Sequence, residues 1–151
     1  MWLPDQVFKT VIQSTPLISI DLVVRNEKNE VLLGKRLNAP AKGFWFVPGG
    51  RVQKDETLDS AFIRLLREEL DSEFEIAREQ ANFLGVFEHF YEDNFYEEDF
   101  TTHYIVMGYE IKISQSLIEK LSQHSDFKWI NTSEMISDES IHQYTKNYFY
   151  N

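Results

Sequence analysis

The sequence predicts an α/β sandwich in which helices pack on either face of a mixed sheet. Three observations lead there. Two apolar, strand-like segments, 17–25 and 31–37, flank a turn and read as a β-hairpin. An unbroken helical segment, 58–70, follows with its apolar residues on one side. Two further strands, 83–91 and 101–113, come next, and a mostly helical stretch, 132–150, closes the chain. At 151 residues with 42% hydrophobic content, residues 1–151 read as one domain with a sizeable core.

The first strand alternates. Ile18, Ile20, Leu22 and Val24 form one face, and Leu17, Ser19, Asp21 and Val23 the other. Asp21 is an acid in mid-strand, where propensity disfavours it. The pattern allows either a partly exposed edge residue or a group lining a pocket. Asn26-Glu27-Lys28-Asn29 supplies the hairpin turn, and Arg36 stands near the end of the second strand, on pattern alone a solvated cation. Residues 38–43, with Pro40 and Gly43, form a loop. Phe44-Trp45-Phe46-Val47 is a short buried strand delivering the chain to Pro48-Gly49-Gly50.

Beyond the central helix, the acidic and aromatic stretch 92–100 is either a lid or a solvated loop with its aromatics tucked inward. Residues 116–121 allow a helical turn, Gln123-His124-Ser125-Asp126 a polar loop, and 127–130 a strand. His89 and His103 fall on strands and read as structural or supporting residues. His142 falls in the closing helix and carries no signal, and His124 by itself would be a solvated loop residue.

The formal charge is −10, from 25 acidic and 15 basic residues. Nucleic acid and anionic membranes are therefore poor partners for the bulk surface. The chain has no cysteine, which excludes disulfides and thiolate chemistry. Met1-Trp2-Leu3-Pro4-Asp5 does not read as a secretion signal, and no apolar run would span a bilayer. A cytoplasmic location is the expectation.

The richest stretch is 48–70. Five residues separate Gly50 from Glu56, seven separate Glu56 from Arg64, and three separate Arg64 from Glu68-Glu69. Asp55-Glu56-Thr57 suits a helix start, with carboxylates near the positive end of the dipole. Leu58, Phe62, Leu65 and Leu66 share the buried side, and Glu69 projects into that same stripe. Glu68 sits at its edge, one turn after Arg64, as an ion pair requires. A carboxylate on a buried stripe needs a cation, a donor or a proton. An Arg–Glu fastening of helix to loop would serve, but with the Gly-Gly turn and the full spacing a metal ligand is the preferred reading of Glu69. Gly49 and Gly50 let the backbone come close to an ion, and a carbonyl there is a hard oxygen ligand.

This spacing resembles the Nudix box, the signature of a family that hydrolyses nucleoside diphosphates linked to another moiety. The resemblance implies the Nudix α/β/α sandwich with its mixed sheet. Leu65 stands where the usual pattern has an acid, and Asp71-Ser72 where it has Gly and an aliphatic residue. Losing the acid implies fewer metal ions. Blocks outside the box, including Leu33-Gly34-Lys35-Arg36, Asp99-Phe100-Thr101-Thr102-His103-Tyr104 and Gln123-His124, resemble the GDP-mannose mannosyl hydrolases within this family.

That closer resemblance implies water attack at the anomeric carbon of GDP-mannose, and possibly GDP-glucose, releasing GDP and free sugar with inversion. It implies one Mg2+ per subunit, held by the Gly49 carbonyl, Glu69 and Gln123. His124 would be the base, Arg36 would contact the phosphates, and Arg51 and Tyr104 would assist, with Asp21 as the other pocket acid. Trp2, Leu3 and Phe8 would help bind the nucleotide in a homodimer, unless they only make core contacts from an N-terminal helix. The partner is thus a small-molecule nucleotide sugar. Two other readings stay open: a conventional pyrophosphohydrolase attacking phosphorus, which Glu68 favours, and a non-catalytic nucleotide-sugar sensor.

Overall fold

The computed structural model describes residues 2–71, 73, 75–122 and 126–149. Within them a helix, α1 (Asp5–Ser14), precedes a hairpin of β1 (Leu17–Arg25) and β2 (Val31–Lys35). Two short strands follow, β3 (Trp45–Phe46) and β4 (Gly49–Arg51), then the helix α2 (Leu58–Leu70). The long strands β5 (Asn82–Tyr91) and β6 (Thr102–Lys112) lead to α3 (Glu119–Ser122), β7 (Phe127–Ile130), and two single-turn helices, α4 (Thr132–Met135) and α5 (Gln143–Lys146).

All seven strands join one sheet. β1 runs parallel to β6, from Leu17 opposite Tyr104 to Arg25 opposite Lys112, while the other pairings are antiparallel. The β1–β2 hairpin is paired only at its closed end, Arg25 with Val31. The Asn26 side chain builds that end by accepting from the Lys28 and Glu30 N–H groups at 3.0 and 2.9 Å. Toward the open end the strands diverge around the 45–51 segment. β3 pairs with β2, the Leu22 N–H donates to the Pro48 carbonyl, and β4 pairs with β1. The predicted hairpin is therefore present but wedged apart.

Side chains from both faces of the sheet are buried. Ile20, Leu22, Val24, Tyr109 and Ile111 pack with Phe62, Leu65, Leu66 and Leu70 of α2. On the opposite face Val23, Val31, Leu33 and Phe46 pack with Met135 and Ile141, and Tyr144 and Tyr148 join them. α2 begins where Thr57 Oγ1 accepts from the Ser60 N–H at 3.0 Å, and ends at Asp71 in the left-handed region.

The C-terminal stretch departs from the single helix predicted over 132–150. Polar side chains take backbone N–H groups that a longer helix would use. Asn131 caps α4 by accepting from Ser133 N–H, Asp138 accepts from Ser140 N–H, and His142 Nδ1 accepts from Tyr144 N–H. The 92–100 stretch is not a free lid. Asn94, fully buried, donates to the Glu98 and Phe100 carbonyls, and Lys9 of α1 pairs with Glu98 at 2.7 Å. Tyr96 also bonds Asp5 and meets the Phe8 ring edge-on.

Candidate active site

The wedge that opens the hairpin also makes the site. Where β4 pairs alongside β1, a recess opens beside Gly49. Asp21, Arg36, Arg51, Tyr91 and Tyr104 line it. A second cleft, lined by Trp2, Gln53, Arg64, Glu68 and Glu69, shares Gly50 and Arg51 with the first. Gly49-Gly50, expected as a turn, is strand β4 instead, and it forms the ridge between the two recesses.

Close approach of backbone requires glycine at position 49, and at position 50 a side chain would press on Leu65. A Cβ on Gly49 would collide with the Asp21 carboxyl and stand 2.6 Å from the Ile20 carbonyl. One on Gly50 would stand 2.6 Å from Leu65 Cδ2 and 3.8 Å from Glu69 Oε1. Leu65, the position without the usual acid, is buried and packs against Gly50.

Arg64 fastens α2 to the preceding loop. It bonds Glu56 at 2.6 and 3.0 Å, the Arg51 carbonyl at 2.9 Å and Glu68 at 3.0 Å. Its hydrogen bonds hold the Glu56 carboxyl below the usual carboxylate range. The predicted Arg64–Glu68 pair is present, yet Glu68 is largely exposed and Glu56 is the closer partner.

Glu69 differs. It is half-buried and forms no ion pair with a described residue, and burial, then the charge of Glu68, push its carboxyl up. A divalent cation suits this place: Glu68, Glu69 and Gly50 line one cleft, while Gly49, the other expected backbone ligand, lines the neighbouring recess. Among the described residues no group of three acidic or histidine side chains converges, so oxygens from the backbone and a phosphate would complete the shell. Gln123 and His124 lie outside the described residues.

Asp21 is buried, not an edge residue, and desolvation pushes its carboxyl up to about 7. Tyr148 donates to it at 2.5 Å, and the positive charge of Arg36 acts against the shift. Arg36 donates Nε to the Pro40 carbonyl at 3.3 Å, and its charge also acts on Glu69, Tyr91, Tyr104 and His142. Burial pushes the Tyr104 phenol up, so it stays protonated as a donor. Arg51 lies over the Phe8 ring, 5.1 Å from its centroid, which ties Phe8 to the site. Trp2 is 96% exposed at the second cleft, whereas Leu3 is half-buried and lines neither recess.

His89, read from sequence as structural or supporting, belongs to the pocket wall, and residues behind that wall carried no signal. His89 is buried, lines the pocket, and stacks flat on Tyr144 at 4.3 Å. Desolvation brings its pKa down to about 4, so it is neutral at ordinary pH. Phe87, His89 and Tyr91 alternate along β5, and that period of two was the available signal. His142, Tyr144 and Tyr148 come from the broken C-terminal segment, where no periodicity pointed to them. His103 stacks on Phe90 at 4.4 Å, consistent with a structural residue.

The NUDIX domain family matches residues 15–150. The chain belongs to the Nudix hydrolase superfamily. One relative is the low-salt glycan biosynthesis protein Agl8 of Haloferax volcanii, 38% identical over 146 residues, covering 97% of this chain and 88% of that one. The ADP-ribose pyrophosphatase of Methanocaldococcus jannaschii is 39% identical over 54 residues, 36% of this chain and 31% of that one. In three dimensions the MutT protein of Methanosarcina mazei superposes with a TM-score of 0.63 at 22% identity, covering 90% of this chain and 92% of its own. The mixed sheet flanked by helices is the Nudix fold, as the sequence predicted. No helix among the described residues is long and apolar enough to cross a membrane.

Proposed function

We propose that this Nudix hydrolase cleaves a GDP-hexose, GDP-mannose in the first instance, to GDP and free sugar. The observation that carries the reading is Leu65. Its buried side chain fills the place of a box carboxylate, leaving Glu69 as the half-buried acid of the cleft. A site with few carboxylates suits one magnesium ion bound together with a diphosphate. The glycan-biosynthesis role in the Haloferax relative's name supports a glycosyl nucleotide as substrate.

In this reading Arg36 and Arg51 bind the diphosphate from the ridge, and Trp2 and Phe8 lie toward the nucleotide. When bound, magnesium neutralises charge growing on the leaving diphosphate. Arg36, held by Pro40, gives the same charge a fixed partner. A water oxygen bonds C1 as the bond from C1 to the diphosphate oxygen breaks. The electron pair leaves with GDP, and His124 takes the proton from water.

A second reading, attack at phosphorus, is favoured by Glu68 standing beside Glu69 and by the pyrophosphatase relative. Hydrolysis of GDP-mannose in oxygen-18 water separates them. The expected label is in mannose, with unlabelled GDP. Label in GMP or in mannose phosphate would establish the second reading.

A further inference from the structure

The C-terminal segment carries chemistry that neither the box nor the metal cleft uses. Asp21 of β1 lies opposite Gly108 of β6, and Gly108 lies opposite Gly85 of β5. Two glycines side by side leave the sheet bare next to the acid. The Tyr148 ring covers that gap: a Cβ on Gly108 would stand 2.9 Å from Tyr148 Cε1. Phe87 holds the ring edge-on, with centroids 4.6 Å apart. From this seat the Tyr148 hydroxyl donates to Asp21 Oδ2 at 2.5 Å. The second carboxyl oxygen, Oδ1, lies against Gly49.

The two oxygens of Asp21 therefore have different duties. One is fixed by Tyr148, and the other faces the ridge where a ligand would cross. A carboxyl repels a diphosphate but accepts hydrogen bonds from hydroxyl groups. The basic residues of the pocket, Arg36 and Arg51, leave the diphosphate to themselves and the hydroxyls to Asp21. Burial raises the Tyr148 phenol far above neutral, so its hydroxyl remains a donor.

We propose that Tyr148 is a positioning residue, which by fixing Asp21 aims Oδ1 at a hydroxyl of the sugar held over Gly49. It thus serves turnover of the glycosyl nucleotide and not binding of the nucleoside diphosphate alone. The inference rests on the substrate reading given under the proposed function. A ring that merely filled the space over Gly108 would act on stability and leave the kinetics of folded protein alone.

The test uses the full chain with magnesium. Turnover of GDP-mannose, the dissociation constant for GDP, and the melting temperature are measured for wild type, Tyr148→Phe, Asp21→Asn and the double variant. Tyr148→Phe keeps the ring and removes the donor. It is expected to lower kcat/KM roughly tenfold or more, as for a lost hydrogen bond to a charged group. GDP affinity should stay within about twofold, and the double variant should be no slower than Asp21→Asn, because both changes break one unit.

Gly108→Ala displaces the ring while keeping its hydroxyl and should give the same pattern, so the test survives if Tyr148→Phe fails to fold. Unchanged turnover in both variants, losses that multiply in the double variant, or an equal loss of GDP affinity would overturn the inference alone. Wild-type protein that leaves GDP-mannose intact and binds it no better than GDP would overturn the substrate reading, and the inference with it.

Discussion

Asp21 shows how one side chain can trade stability for a site. Its carboxyl ionises near pH 3.8 in an open chain and near 7 in the folded protein, because burial disfavours its charge. The folded state therefore holds the proton more tightly, and the sign follows. Below pH 3.8 both states are protonated and the group has no effect. As pH rises toward 7 only the unfolded state ionises, so stability falls; above 7 the loss is complete, roughly 4 kcal/mol. His89 works the other way. Its pKa drops from 6.5 to about 4, so stability falls as pH drops through that window. In wild type these two slopes oppose one another. Asp21→Asn removes one of them. The variant should match wild type near pH 4 and exceed it above pH 7, while losing turnover. Chemical denaturation at pH 4, 6 and 8 checks this; a variant equally destabilised at all three values would contradict it.

At the scale of elements, α2 is held in register by its ends and by Arg64. One guanidinium ties Glu56, Glu68 and the Arg51 carbonyl, so it fixes the loop that carries the Gly-Gly ridge relative to the helix that carries Glu69. Arg64→Met should cost about 3 kcal/mol or more, because it leaves the part-buried Glu56 without its cation. It should also weaken magnesium-dependent turnover by misplacing Glu69. A melting curve and a magnesium titration of the rate give both readouts, and a stable variant of normal magnesium dependence would refute the clamp.

This element was legible in the sequence, since the 3.6-residue period of Phe62, Leu65, Leu66 and Glu69 and the four-residue Arg64–Glu68 spacing are local signals. β1 was legible for the same reason, and its bounds agree with the alternation. The Arg64–Glu56 contact was harder to read, because it spans a turn in which Asp55 takes a positive φ of 68°. The tail was misread as one helix because capping by Asn131, Asp138 and His142 competes with apolar spacing. The place of His89 in the pocket wall, and the contacts of Tyr144 with His89 and of Tyr148 with Asp21, could not be read from sequence, because they arise only when segments distant in the chain pack together.

On the scale of the whole molecule, the pocket is assembled from segments far apart in the chain. Leu17 pairs with Tyr104 and Asp21 with Gly108, so the walls meet only when β1 and β6 have joined across almost ninety residues. Such pairing is slow compared with local helix and hairpin formation. Binding of a fluorescent GDP analogue during refolding should therefore rise with the slowest phase. A binding signal that accompanies the first helical signal would contradict this. The spread hairpin adds a further consequence. Until residues 45–51 are seated, β1 and β2 share the turn at Asn26 with no strand between their open ends, so further zipping is the expected local competitor. Any such pairing would have to open before 45–51 enter. The feature that gives the enzyme its pocket is thus also a built-in competitor to its own folding, and a stronger turn would slow the chain's arrival at the native state.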